Sequence, residues 1–276
     1  MALSLLVSAL LLPASLLARP LPQAPLTPAQ TQELVQRVLR TEIAATQDAS
    51  HPFHYTLRKT SPRLSTTKLI AETRDGDVAR LIQRNNAPLS PQDEAAEHTR
   101  LQSLLDDPSL QRHRQQREQD DSEHARKILR ALPDAFLYSY AGTVDTPHGP
   151  SYRLSFQPNP SFDPPDIESQ ALKAMAGELW IDVAEQRVTH LEGHRLHDVD
   201  YMGGLLGKLE QGGTLLLDQA DVGNHQWRTT RMVLVMNARI LFKSIKLDTT
   251  LEISNYSPLP PMDYRQAIQL LESQPK

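Results

Sequence analysis

The residue types able to hold a metal or move a proton gather in one stretch: His190, His194, His197, Asp198 and Asp200. On an extended strand His190, His194, Asp198 and Asp200 point to one side and His197 to the other, because successive side chains alternate. A bulge at Gly193 would change that alternation. A zinc ion needs three or four such ligands converging at about 2.0–2.2 Å. The H-E-x-x-H spacing, which places two histidines on one helix face, is absent. His190, His194 and Asp198 are therefore a metal alternative set against a solvated strand face, and the expectation is no metal and no cofactor. The sequence holds no G-x-S-x-G nucleophile elbow, no phosphate-binding glycine loop and no dinucleotide fingerprint. It has no cysteine, which excludes thiol catalysis and cysteine-ligated zinc. A hydrolase whose groups converge only in space stays as an alternative. The expectation is a protein that is not an enzyme.

The 276 residues allow one large β domain or two modest ones, and 39% hydrophobic with 22% charged residues suits a packed core. A net charge of −4 offers no basic excess for a nucleic acid. Residues 1–18 (MALSLLVSALLLPASLLA) form an apolar run of export-signal length, ending in small residues. Ser8, Pro13 and Ser15 interrupt it, whereas a spanning helix needs about 20 apolar residues in a row. The run predicts export to the periplasm or beyond, with a protein left soluble once 1–18 is removed. Residues 19–27 are a proline-rich linker and 28–276 a single domain. No later segment is apolar enough to span a membrane.

Around the polar stretch the chain reads as strands. Thr27-Pro28-Ala29-Gln30 is a helix start, and Leu34, Val35, Val38, Leu39 and Ile43 form one stripe of a helix reaching about residue 45. Strands are expected at 53–59, 66–74 and 77–84, with Asp75-Gly76 marking a tight hairpin. A helical insert follows at about 91–132. It starts at Ser90-Pro91, restarts at Asp107-Pro108 and closes at Leu132-Pro133. Residues 111–127 contain Ala125 as their only apolar side chain, so this part predicts a long, exposed, charged helical hairpin. Strands at 136–143 and 151–157, a helical turn at 167–175, and five further strand candidates between 177 and 253 complete the pattern. A last helix begins at Asp263. Consecutive strands without crossover helices imply an α+β, mainly antiparallel fold.

The step from GELWID to RVTHLEG, behind an export signal and an N-terminal helix, resembles the half-barrel of periplasmic lipoprotein carriers, the LolA-like, LolB-like and RseB-like proteins. The segments ALPDAFLYSYAGT, WRTTR and LFK resemble a group of uncharacterised exported bacterial proteins. The likeness implies a curved antiparallel sheet with N- and C-terminal helices, and a concave apolar surface that accepts lipid acyl chains or a lipidated partner. No binding residue is carried over from those proteins. Ligand-binding candidates come from the strand pattern: Leu179 and Ile181, Leu205 and Leu206 in a glycine-flanked connector that could act as a flap, and Met232, Leu234 and Met236 on one face of a strand. Flexible methionines suit variable chains, and equally they fill core gaps. The second functional alternative is an envelope interaction or sensor module that uses the charged insert.

Overall fold

The computed structural model describes residues 25–201, 207–240 and 243–274. The export segment at 1–18, Leu205 and Leu206 lie outside the described residues. Helix α1 (Pro28–Ala45) starts at a reciprocal cap. The backbone N–H of Gln30 donates to Thr27 Oγ1 at 3.3 Å, and that of Thr27 donates to Gln30 Oε1 at 2.9 Å. Two of the amides a helix leaves unpaired are thereby satisfied. Leu34, Val35, Val38 and Leu39 are buried along the expected stripe.

Among the described residues there are thirteen strands, all paired antiparallel in one curved, unclosed sheet. A first meander comprises β1 (Phe53–Ser61), β2 (Leu64–Ala71), β3 (Val78–Arg84) and β4 (Ala87–Pro88). Helices α2 (Pro91–Asp106) and α3 (Pro108–Ala135) are inserted before a second, β5 (Phe136–Thr146), β6 (Gly149–Pro158), β7 (Met175–Asp182) and β8 (Val188–Arg195), with a short 3-10 helix at Glu168–Ala174. A small hairpin, β9 (Val199–Tyr201) and β10 (Gly207–Leu209), precedes β11 (Thr214–Asp221), β12 (Trp227–Ile240) and β13 (Lys243–Pro258). Helix α4 (Tyr264–Ser273) ends the described chain. The strand order is β4-β3-β2-β1-β13-β12-β11-β8-β7-β6-β5, with β10 bridging β9 to β12. Strand β13 lies beside β1, so β11–β13 sit between the two meanders.

Register fixes which side chains share a face, since directly paired residues project to the same side. One row crosses the sheet through Leu154, Leu179, Leu191, Leu217, Met232, Leu251, Lys59 and Thr66. Helix α1 and the end of α3 pack on this inner side over β5–β8, burying Leu154, Leu179, Phe136 and Phe156 with Val35, Val38 and Ala135. Leu69 and Ala71 stand at odd offsets from Thr66 and face outward. There they pack with Val78, with Leu101 and Leu104 of α2, and with Ala267, Ile268 and Leu271 of α4. The two terminal helices thus lie on opposite faces of the sheet.

The insert forms two consecutive helices, but it is not a free arm. Gln111 donates through Nε2 to the carbonyls of Asp75 and Gly76, and Gln115 to that of Arg74. Arg114 donates to the Asp77 carbonyl, and the Asp77 amide donates to Glu118. These bonds replace the expected tight hairpin at Asp75-Gly76. The β2–β3 connection is a six-residue loop, 72–77, docked on α3. Gly76 has φ +91°, and a Cβ there would come within 2.9 Å of Glu118 Oε2 and 3.0 Å of Gln115 Cβ. The glycine serves a close approach as well as a turn. At its other end α3 runs through Pro133 to Ala135, past the expected stop. The free edge of β3 is covered as well: Glu97 accepts from the Leu81 amide, and Arg100, paired with Glu97, donates to the Ala79 carbonyl.

Beside its apolar packing, α1 is tied to the sheet by an ion pair. Glu42, buried, accepts from Arg187 Nε at 2.8 Å, Arg187 Nη2 at 3.0 Å and the Val188 amide at 3.0 Å. Removing one partner of such a pair strands a buried charge, at a cost of about 3–5 kcal/mol, whereas replacing both with apolar groups is often close to neutral. Denaturant unfolding should therefore show Glu42→Ala destabilised by about 3 kcal/mol, with the Glu42→Leu/Arg187→Met double variant nearer the wild type than that single variant.

Candidate functional site

The inner face divides into a covered part and an open part. Over β5–β8 it is closed by α1, and Leu179 and Ile181 are 4% and 0% exposed within that packing. These two sequence candidates are core residues with no surface left for a ligand. Over β11–β13 the same face carries Leu215, Leu217, Met232, Leu234, Met236, Ile245, Leu251 and Ile253, all only half-buried, and Leu247 is 38% exposed. Neither packed cluster includes any of them. Cross-strand pairs make the strip continuous: Leu217 with Met232, Leu215 with Leu234, Met232 with Leu251, and Met236 with Leu247.

Helix α3 does not fill this strip. Its 28 residues reach about 42 Å at 1.5 Å per residue. It is docked at one end on the β2–β3 loop and at the other in the α1 cluster, on the same side of the sheet. Between those anchors residues 119–125 are exposed except for half-buried Glu123. The helix is a strap fixed at both ends, and the oily strip lies on the strand segment between its anchors. On the strap itself Arg126 pairs with Glu123 at 2.6 Å, and Lys127 reaches Glu168 of the 3-10 helix at 3.1 Å.

A hollow opens at each end of the inner side. One, about 330 Å³, is lined by Ile167, Tyr201, Gly207, Leu209 and Ala238. The other, about 390 Å³, lies where the end of α1 meets the β2–β3 loop, and includes Glu72, Asp77, Trp227, Arg228 and Met262. Here burial, with Glu118 and Glu72 adding like charge, pushes the Asp77 carboxyl up to about 7. Burial also raises Glu72 and Glu118 above the ordinary carboxylate range. Arg228 caps the group from the side, its guanidinium 5.0 Å from the centre of the Phe53 ring.

The polar stretch that opened the sequence reading does not converge. His190 faces outward, its ring 4.4 Å from that of Trp180 and its Nδ1 2.6 Å from Asp218. Asp198 is taken by Lys208 at 2.6 Å and by the Gln211 amide at 2.7 Å. His194 pairs across β8 with Thr214 and Ala176. Among the described residues no three His, Asp or Glu side chains gather as a metal site. Sequence reading missed Leu215, Leu217 and Leu251 as partners of Met232 and Leu234. The run Leu215-Leu216-Leu217 has no alternation to assign its faces, and register alone resolves it.

The fold is that of an open antiparallel half-barrel with helices against its inner side. No protein-family model and no curated protein matches the chain. Among solved structures it is similar to a domain described as an outer membrane lipoprotein-sorting protein from Vibrio parahaemolyticus, at 11% identity and TM-score 0.32, over 88% of this chain and 99% of that one. It is similar to a LolA superfamily protein from Nitrosomonas europaea, at 9% identity and TM-score 0.30, over 85% and 96% of the two chains. A DUF1329 family protein from Desulfovibrio piger aligns at 12% identity and TM-score 0.27, over 83% and 92%.

The acid cluster sets a pH dependence. A carboxyl raised in the folded state is neutral there while it ionises in the unfolded chain, so stability is full below about pH 4 and falls as pH rises to about 7. Thermal melts of Asp77→Asn should show a flatter decline across pH 5–8 than the wild type, and a higher melting temperature at pH 8.

Proposed function

We propose that this chain is an exported, non-enzymatic carrier that seats a lipid acyl chain, or the lipid of a lipidated partner, on the inner face of β11–β13. The observation that carries the reading is the continuous apolar strip left half-open between two packed cores. A domain that could close such a strip gains about 25 cal/mol for each Å² of apolar surface removed from water. Contiguous apolar surface left in place marks an interaction site. Two methionines in the strip, Met232 and Met236, supply side chains that adapt to ligands of different shape. Among the described residues no helix is long and apolar enough to cross a membrane.

The charged insert as a partner-capturing arm has less in its favour, because both ends of α3 are committed to the domain. A hydrolase reading has no recognised catalytic motif in the sequence to start from.

Uptake of a fluorescent acyl probe by the purified chain tests the proposal. Leu234→Asp puts a charge on the strip and should weaken uptake at least tenfold, which is about 1.4 kcal/mol or more. Val233→Asp, the next residue on the same strand but on the outer face, should leave uptake unchanged. No uptake by the wild type, or equal loss in both variants, would sink the reading.

A further inference from the structure

We propose that the apolar strip ends in an anion seat built on Arg195, so that the preferred ligand is a single-chain amphiphile with an oxyanion head, a carboxylate or a phosphate. This rests on the carrier reading above and narrows it to a ligand class.

Arg195 is the last residue of β8. It stands two positions beyond Gly193, which pairs with Leu215 of the strip, so its side chain starts on the inner face. It is only 7% exposed. Its Nη1 donates to the Glu210 carbonyl at 2.9 Å, and its Nη2 reaches Met236 Sδ at 3.7 Å. Its Nε is buried with no partner among the described residues. A guanidinium carries five N–H donors. Here one meets a carbonyl, one a weakly accepting sulfur, and none a carboxylate among the described residues. Asp198, the acid whose charge is felt there, is already bound to Lys208. Buried cations are ordinarily paired, because an unpaired one loses its hydration without replacement.

The site is also built to hold the group. A Cβ at Gly213 would stand 2.7 Å from Arg195 Nη1, so the glycine makes room for the guanidinium. The backbone on either side is pinned, Arg195 N–H to the Gly213 carbonyl at 2.8 Å and Gly212 N–H to the Arg195 carbonyl at 3.1 Å. Pinning the connector accounts for the Glu210 bond and would be served by any neutral donor. It does not account for a full positive charge placed against Met236, at the far end of Met232-Leu234-Met236. A tail along those three side chains brings its head to the guanidinium, and the carboxylate or phosphate oxygens take the donors now left over.

Displacement of a fluorescent acyl probe from the full chain at pH 8 separates the possibilities. The competitors are dodecanoate, dodecyl phosphate and dodecanol, with inorganic phosphate alone as a fourth. We expect dodecanoate or dodecyl phosphate to compete at least tenfold better than dodecanol, and the stronger of the two identifies the head. Inorganic phosphate should not displace the probe. In Arg195→Gln the anions should fall to the level of the alcohol while the alcohol keeps its wild-type value, and Arg195→Lys should restore part of the preference. Equal competition by alcohol and anions on the wild type overturns the anion seat and leaves the carrier reading standing. So does a variant that weakens all ligands by the same factor, which would mark Arg195 as purely structural. If no twelve-carbon ligand and no probe binds the wild type, the carrier reading itself fails, and the seat with it.

Discussion

The pairing of β13 with β1 is the constraint on which everything else in this molecule depends. It joins Phe53 to Pro258 and Thr60 to Thr250, residues about as far apart in sequence as the sheet contains. Without it the two meanders would be separate small sheets, each with its own core. With it, a row of directly paired side chains runs from β6 to β2 despite bulges elsewhere in the ladders, and one side of the whole becomes the inner face. The strip on β11–β13 exists because these strands close the gap between two halves that are each already packed. Loop closure over such separations is costly in chain entropy and slow to form. The long ladder of β12 with β13, ten registered pairs from Arg231–Glu252 to Ile240–Lys243, offsets it locally.

Polar side chains, as well as the apolar ones of Leu101, Leu104, Ala131 and Ala135, hold the helical insert to this frame. A buried or half-buried backbone group left unpaired costs about as much as a lost hydrogen bond. The β2–β3 loop presents four carbonyls and an amide, and Gln111, Arg114, Gln115 and Glu118 meet them from one face of α3. Helix and loop therefore order each other. The same logic places Glu42 under Val188 at the other side of the inner face. What looks from its composition like a solvated spacer is anchored by hydrogen bonds at one end and by Ala131 and Ala135 at the other.

Much of the fold was legible because its signals are local. Thr27-Pro28, Ser90-Pro91 and Asp263 each cap the helix they were expected to cap, and α1 ends at Ala45 as its stripe implies. The strand expected at 151–157 lies within β6. The rest was hidden wherever a residue acts through a distant partner. Asp75-Gly76 looks like a two-residue turn because the turn signal ignores what docks on it. The glutamines of α3 give no periodic apolar trace, since their job is to meet backbone. Leu179 and Met232 stand in the same row of the same face, and no sequence pattern tells that α1 covers one and leaves the other half-open. Arg195 was not singled out at all, for a lone arginine at a strand end carries no spacing signal.

The clamp of Glu97 and Arg100 on β3 guards one border of the sheet. A sheet edge invites a neighbouring chain, and repeated end-to-end addition builds fibres only if both edges can accept a strand. Here the outward groups of Ala79 and Leu81 are already occupied, and β4 beyond them is two residues long. At the opposite border β5 has no such clamp among the described residues, and Leu137 stands 54% exposed on it. Strand addition at the β5 border would pair two copies edge to edge, while the occupied groups on the β3 side leave a further copy little backbone to meet.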